Sequence, residues 1–178
     1  MSAQRSQVAE SSFNYLHMEL VQLALGPVGA DGAPPSTSQL QQASRKIEAV
    51  GFQVGQRLAE RYTKDRPRLG DTLEIIKFIC KEFWVEVYRK QIDKLQTNNR
   101  GVYMLQDITH PVLTRCSPST SRQASAKQMA TLHIKFPSGL IRGALAALGV
   151  VASVSAEVSE LPRCQFTIKI QAADASAR

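Results

Sequence analysis

Three histidines and three cysteines carry the most versatile side-chain chemistry in this 178-residue chain. His17, His110 and His133 are far from one another in sequence, and none stands near a cysteine at the spacing of a zinc site. Cys80, Cys116 and Cys164 are odd in number and widely spaced, which is not a disulfide framework. Cys80 falls in an apolar helical stripe and Cys164 on the dry face of a strand, so both read as small core residues rather than nucleophiles. Cys116 borders a polar stretch and reads as exposed. There is no phosphate-cradling glycine loop, no nucleophile elbow and no zincin helix. No catalytic, cofactor-binding or metal-ligating residue is assigned, and no cofactor is expected. Because a spatial site need leave no local motif, this weakens an enzyme reading without eliminating it.

Charge is the next candidate for function. The formal net charge is +7, and the excess lies between residues 57 and 142. Such a surplus suits an anionic lipid surface, a nucleic acid or an acidic protein, or is simply a solvated basic face. Arg57, Arg61, Lys64, Arg66 and Arg68 are the densest group and the candidates for membrane contact. Aromatic residues are only 6% of the chain, and Phe78, Phe83, Trp84 and Tyr88 fall in one strongly apolar helix, so no base-stacking platform forms and nucleic acid is not expected. No apolar run approaches the ~20 residues of a membrane span. The polar N-terminus lacks a signal-peptide core, so a cytosolic protein is expected. The length suits one domain that can bury a core without staples.

The elements that would position these residues follow from hydrophobic period. Phe13, Leu16, Leu20 and Leu23 make one face of a helix over residues 11–25, ended by Gly26-Pro27. A second helix starts near Ser36–Ser38, with Ser38 as N-cap and Gln41 three residues on, and shows Leu40, Ile47, Val50, Val54, Leu58 and Tyr62 on one face. Gly51 and Gly55 lie mid-helix, each costing ~1 kcal/mol relative to alanine. They make either a flat strip for another helix or a tolerated kink. Asp71 and Glu74 resemble a capping box for a third helix running to about Asp93, with Lys77, Lys81, Glu82, Glu86 and Lys90 on its wet side. Strands are expected at 94–99 and 101–108, turning at 98–101, with Val112–Thr114 as a candidate extension. The stretch SPSTSRQASAKQ reads as a mobile loop. Residues 131–136 are either a short strand or the approach to a helix over 139–148, which carries Gly139 and Gly143 and stops at Gly149. Alternation gives two final strands, with Val150, Ala152, Val154, Ala156 and Val158 and then Cys164, Phe166, Ile168 and Ile170 facing inward.

The expected class is α+β, with helices on one face of a four-stranded antiparallel sheet. Residues 1–10 and 173–178 are expected to be flexible, residues 11–172 to form one domain, and loops near 26–36 and 116–128 to be mobile.

Several segments resemble a known family. IEAVGFQVGQRLAERYTKD, then DTLEIIKFICKEFWVEVYRKQIDKLQTNNRGVYMLQD, then FPSGLIRGALAALG and VSAEVSELPRCQFTIKI are similar to the sixth-subunit family of small subunits of the TRAPP vesicle-tethering complex, over residues 36–172. The most specific pieces are KFICKEFW, the QTNNRGVYMLQD hairpin and GLIRGAL. The resemblance implies the TRAPP small-subunit plait and a non-catalytic, architectural role. It implies a heterodimer with a paralogous small subunit, further TRAPP core subunits, and a Rab GTPase whose nucleotide exchange belongs to the assembled complex. It implies ER-to-Golgi and intra-Golgi vesicle transport, peripheral at cis-Golgi, ER–Golgi and late Golgi membranes. The partner subunit in this family carries an acylated cysteine before its third helix; KDRPRLGD here has none, so acylation and a lipid tunnel are not carried over. The alternative within the same fold superclass is a domain that binds a small hydrophobic ligand.

On that basis the expected partner interface is Leu16, Leu20 and Leu23 with Ile47, Val50, Gly51, Phe52, Val54, Gly55 and Leu58, the glycines flattening the second helix for a sister subunit. The competing reading packs this strip within the monomer. Gly139 and Gly143 are expected to pack their helix on the sheet. Arg142, among apolar neighbours, requires a carboxylate or carbonyl partner.

Overall fold

The computed structural model describes residues 10–26, 35–116 and 123–171. The chain begins with helix α1 (Glu10–Leu25), ended by Gly26 in the left-handed region at φ +79°. Helix α2 (Thr37–Thr63) follows. Its N-cap is Ser36, not Ser38: the Ser36 hydroxyl accepts from the Gln39 amide, and the Gln39 side chain accepts from the Ser36 amide at 2.8 Å. The serine–glutamine spacing is the same, and the chain uses the earlier pair.

The third helical segment departs from its expected length and regularity. It runs as α3 (Thr72–Phe78), a π-helical turn (Ile79–Phe83) and α4 (Trp84–Tyr88). Asp71 caps α3 by accepting from the Glu74 amide at 2.6 Å, while the Glu74 carboxylate takes the Gly70 amide. A π turn inserts a residue and rotates the following face. The rotation lets Ile75, Ile76, Ile79, Cys80, Phe83, Trp84 and Tyr88 all reach the interior. Arg89 then adopts φ +58°, which stops the helix short of Asp93.

Four strands follow in two hairpins: β1 (Lys94–Thr97), β2 (Val102–Asp107), β3 (Ala152–Glu160) and β4 (Arg163–Ile170). They form one antiparallel sheet in the order β1-β2-β4-β3. In the first turn the Asn98 side chain accepts from the amides of Arg100 and Val102, while Asn99 and Gly101 supply the positive φ. Register places Phe166 between Leu105 and Ala156, and Cys164 between Asp107 and Val158. These residues form the dry face, as the alternation predicts.

Between the hairpins the structure differs from the expectation. Val112–Thr114 does not extend β2: a 3₁₀ turn covers Leu113–Arg115. Residues 117–122 of the expected loop lie outside the described residues, but its second half is helical: α5 (Gln123–His133). Low apolar content hides that helix in the sequence. Over residues 126–133, whose burial is described, only Ala130, Leu132 and His133 are buried. Residues 131–136 are the α5–α6 junction, with α6 spanning Lys135–Ala147. Gly149, at φ +81°, turns the chain into β3. The expected flexible ends lie almost wholly outside the described residues.

Candidate protein interface

Helix α1 has a buried inner side and an exposed outer side that carries apolar residues. Its inner side buries Asn14, His17, Val21 and Ala24. Its outer side leaves Tyr15 63%, Leu16 68% and Leu23 80% exposed. Exposed apolar residues on a helix whose other side is already packed mark a face that a partner can cover. Val50 of α2 is also exposed, at 39%, while Leu20, Val54 and Leu58 are half-buried.

The rest of the expected interface is not on that surface, which corrects the sequence reading. Ile47, Gly51 and Gly55 are buried. A Cβ on Gly51 would run into the Phe136 carbonyl, and one on Gly55 into the Leu140 carbonyl. From the other helix, a Cβ on Gly139 would meet the Glu48 carbonyl and one on Gly143 the Phe52 carbonyl. Two pairs of glycines four residues apart therefore face each other, and α2 crosses α6 at backbone contact. The flat strip on α2 receives a helix of the same chain. Gly139 and Gly143 pack on α2, not on the sheet. Phe52 is taken as well: the Arg142 guanidinium lies over its ring, 4.5 Å from the centroid.

Arg142 has the carboxylate partner its surroundings demand. Its Nε lies 3.1 Å from Glu48 Oε1, an ion pair without hydrogen-bond alignment, since Nε itself finds no aligned acceptor. Lys90, expected on the wet side, instead turns inward to Asp107 and also reaches Asp93 at 2.8 Å. Asp107 is fully buried and accepts from the Trp84 indole at 3.1 Å. Burial raises the Asp107 carboxyl above its ordinary value despite Lys90. Burial by itself would lower Lys90, but its bonds to Asp107 and Asp93 raise it. At Asp93, which is more exposed, the opposing pull of Lys90 and the Ile108 amide outweighs desolvation, and the pKa falls. Asp107 was legible as an interior position: it stands two residues after Leu105 on β2, in phase with the dry face.

Tertiary structure also gathers the dispersed histidines. His17 and His133 stack with ring centroids 5.2 Å apart, and both are buried; His110 is fully buried against Tyr88 and Trp84. Among the described residues, no group of three or more His, Cys, Asp or Glu side chains is arranged to hold a metal ion. Cys80 and Cys164 are buried free thiols, and burial pushes Cys80 up to about 12. Cys116 is half-buried beside His133, Met18, Asn14 and Val112.

The basic candidates divide. Arg57, Arg61, Lys64 and Arg68 are exposed, with no described carboxylate at ion-pair distance. Arg66 pairs with Glu82 and lies 5.8 Å from the Phe78 ring centre. Arg61 and Arg66 border an open groove of about 650 Å³ whose other walls include Asp65, Lys81, Glu82 and Phe78. Its mixed charge suits water and side chains better than an aliphatic ligand. No described helix is long and apolar enough to cross a membrane.

An exposed apolar side on a helix whose opposite side is already buried fits a component of an assembly. A family model described as "Transport protein particle (TRAPP) component" matches residues 13–171. Trafficking protein particle complex subunit 6b of Danio rerio is 42% identical over 162 residues, covering 91% of this chain and 97% of that protein. The chain belongs to the sixth-subunit family of TRAPP components. Subunit 6B of Homo sapiens is 48% identical over 126 residues, covering 71% of this TRAPP chain and 77% of that one. Subunit 6A of Bos taurus is 36% identical over 159 residues, covering 89% and 95%. Among solved structures, a trafficking protein particle complex subunit 3 from Naegleria fowleri, covalently bound to palmitic acid, superposes with TM-score 0.69 at 13% identity, covering 92% of this chain and 98% of that one. An H-NOX protein from S. oneidensis gives TM-score 0.53 at 15% identity, covering 97% and 81%. At such identities these two establish the shared α+β fold and nothing further.

Proposed function

We propose that this TRAPP component is an architectural, non-catalytic subunit that pairs with a paralogous small subunit through α1 and the adjoining edge of α2. The exposed Leu16 and Leu23 on a helix whose opposite side is already buried are the observation that carries this reading. Val50, Val54, Leu58 and Leu20 extend the same surface. A permanent interface of this kind buries about 2,000 Å² or more and is dominated by apolar contacts. The pair takes its place among further TRAPP core subunits. The assembled complex then acts on a Rab GTPase and tethers vesicles on ER–Golgi and Golgi membranes, with the exchange activity residing in the assembly. Co-expression of the doubly substituted Leu16→Ser/Leu23→Ser chain with a paralogous small subunit tests this. Loss of copurification, with the thermal midpoint of the isolated chain unchanged, is expected. Undiminished copurification overturns the interface.

Peripheral membrane contact is a second reading, favoured by the unpaired, exposed Arg57, Arg61, Lys64 and Arg68. Each well-placed cation contributes about 1 kcal/mol toward an anionic leaflet. In sedimentation of the assembled core with phosphatidylserine vesicles, replacing all four by glutamine should abolish most of the binding. Equal sedimentation removes the idea.

A further inference from the structure

We propose that the stacked His17–His133 pair is an acid-labile latch that holds α1 on the body of the protein. Resting on the partner face argued above, the latch also governs whether the chain can pair.

The geometry is specific. His17 is the buried centre of α1, wedged between His133 at the end of α5 and Phe136 of α6, whose ring it meets edge-on at 5.4 Å. Phe13, one turn earlier, reaches Phe136 and Tyr88. This ring cluster ties the centre of α1 to α4, α5 and α6, while the helix also packs along α2. Neither nitrogen of His17 has an aligned hydrogen-bond partner among the described residues, nor has Nδ1 of His133. A neutral imidazole tolerates that site with a water molecule beside it, but an imidazolium does not, because a buried charge needs a counter-charge. None is supplied. Among the described residues, the titratable groups around the pair are Cys116 beside His133, His110 after β2, Tyr88 on α4 by way of Phe13 and, acting on His110, Lys90. No described carboxylate contributes to either ring of the pair.

Burial, and then the neighbouring His133, hold His17 down at about 4, with a contact to the His133 backbone opposing them in part. His133 is lowered by burial. Because the docked pKa is depressed, docking is favoured above the released value of about 6.5 and is lost as pH falls through the docked value. From His17 alone, the balance moves toward release by about 30-fold between pH 7.5 and pH 5.

The experiment is amide hydrogen exchange on the full chain at pH 7.5 and pH 5, with each rate corrected for its intrinsic value. Protection across residues 12–25 should fall by about 30-fold, while the α1 amides stay less protected at both pH values than the β4 amides, which report global opening and fall further because that also releases His110. His17→Phe, which suits the aromatic surroundings, should remove most of that fall; His133→Gln, which keeps a polar group but does not titrate, should reduce it. A fall below about threefold, α1 protection that matches that of β4 at both pH values, or the same fall in both variants overturns the latch. Capture of the paralogous small subunit at the two pH values separates the readings. If α1 loosens in acid while capture persists, the latch stands and the partner face does not.

Discussion

At the scale of single residues, most of the informative polar chemistry concerns buried groups that must be matched. Asp107 is the clearest case, since it carries the Trp84 indole and the Lys90 ammonium at once. Removing one member of a buried pair strands the others, at a cost of about 3–5 kcal/mol. We expect Asp107→Ala to lower the thermal midpoint by about 10 °C, and Asp107→Asn, which keeps an acceptor for the indole, by less. Differential scanning calorimetry distinguishes the two, and equal melting of Asp107→Ala and wild type refutes the network. Lys90 is raised, so its contribution is fully present below its ordinary value of 10.5 and is lost only as alkaline pH passes its folded value. Arg142 is a milder case, because its guanidinium and Glu48 are both about one-third exposed. Solvent screening leaves that pair within about 1 kcal/mol, and its contact with Phe52 contributes a similar amount.

At the scale of elements, the α2–α6 crossing is the most constrained contact in the fold. Gly51, Gly55, Gly139 and Gly143 let carbonyl groups sit where Cβ atoms would otherwise be. Backbone cannot yield as a flexible side chain does, so Gly143→Ala must separate the two helices. Overpacking of this kind costs about 1–3 kcal/mol, and we expect the upper end. Gly149 is a useful contrast: nothing lies within 4 Å of its Cβ position, and its constraint is φ +81° alone. Gly149→Ala should therefore cost about 1 kcal/mol. Urea unfolding of the two variants checks the order, and a Gly149→Ala loss equal to or larger than that of Gly143→Ala would show that the crossing is looser than drawn. On α1, by contrast, Leu23→Ser should change the stability of the isolated chain by no more than about 0.5 kcal/mol, because the side chain is 80% exposed.

At the scale of the whole molecule, the buried histidines tie stability to acidity. His17 is held at about 4 and His110 at about 3, both chiefly by burial. The unfolded chain binds those protons near pH 6.5, so their contribution is present above that value and drains away as pH falls. Between pH 7.5 and pH 5 the two together should remove about 4 kcal/mol of global stability, read from urea midpoints at the two pH values. A flat profile over that range would mean that both rings are paired or hydrated in solution, and about half the loss that one of them is. The same interior leaves Tyr15, Leu16, Met18 and Leu23 exposed on the outer face of α1, which is why an assembly role fits a chain of this family.

Period and turn chemistry alone determined much of the architecture: the strand phases of β3 and β4, the Asn98–Gly101 turn, the core placement of Cys80 and Cys164, and Arg142's need of a carboxylate or carbonyl partner. These are local properties, written in side-chain alternation and backbone preference. The π turn, helix α5 and the gathering of three dispersed histidines were decided only by tertiary packing. So was the choice of what covers each apolar strip. The glycines of α2 and the leucines of α1 look alike in sequence, as small or apolar residues at helical spacing. Only the three-dimensional path of the chain brings Gly139 and Gly143 onto Gly51 and Gly55 and leaves Leu16 and Leu23 facing outward, because sequence period tells which residues share a face but not which element arrives to cover it.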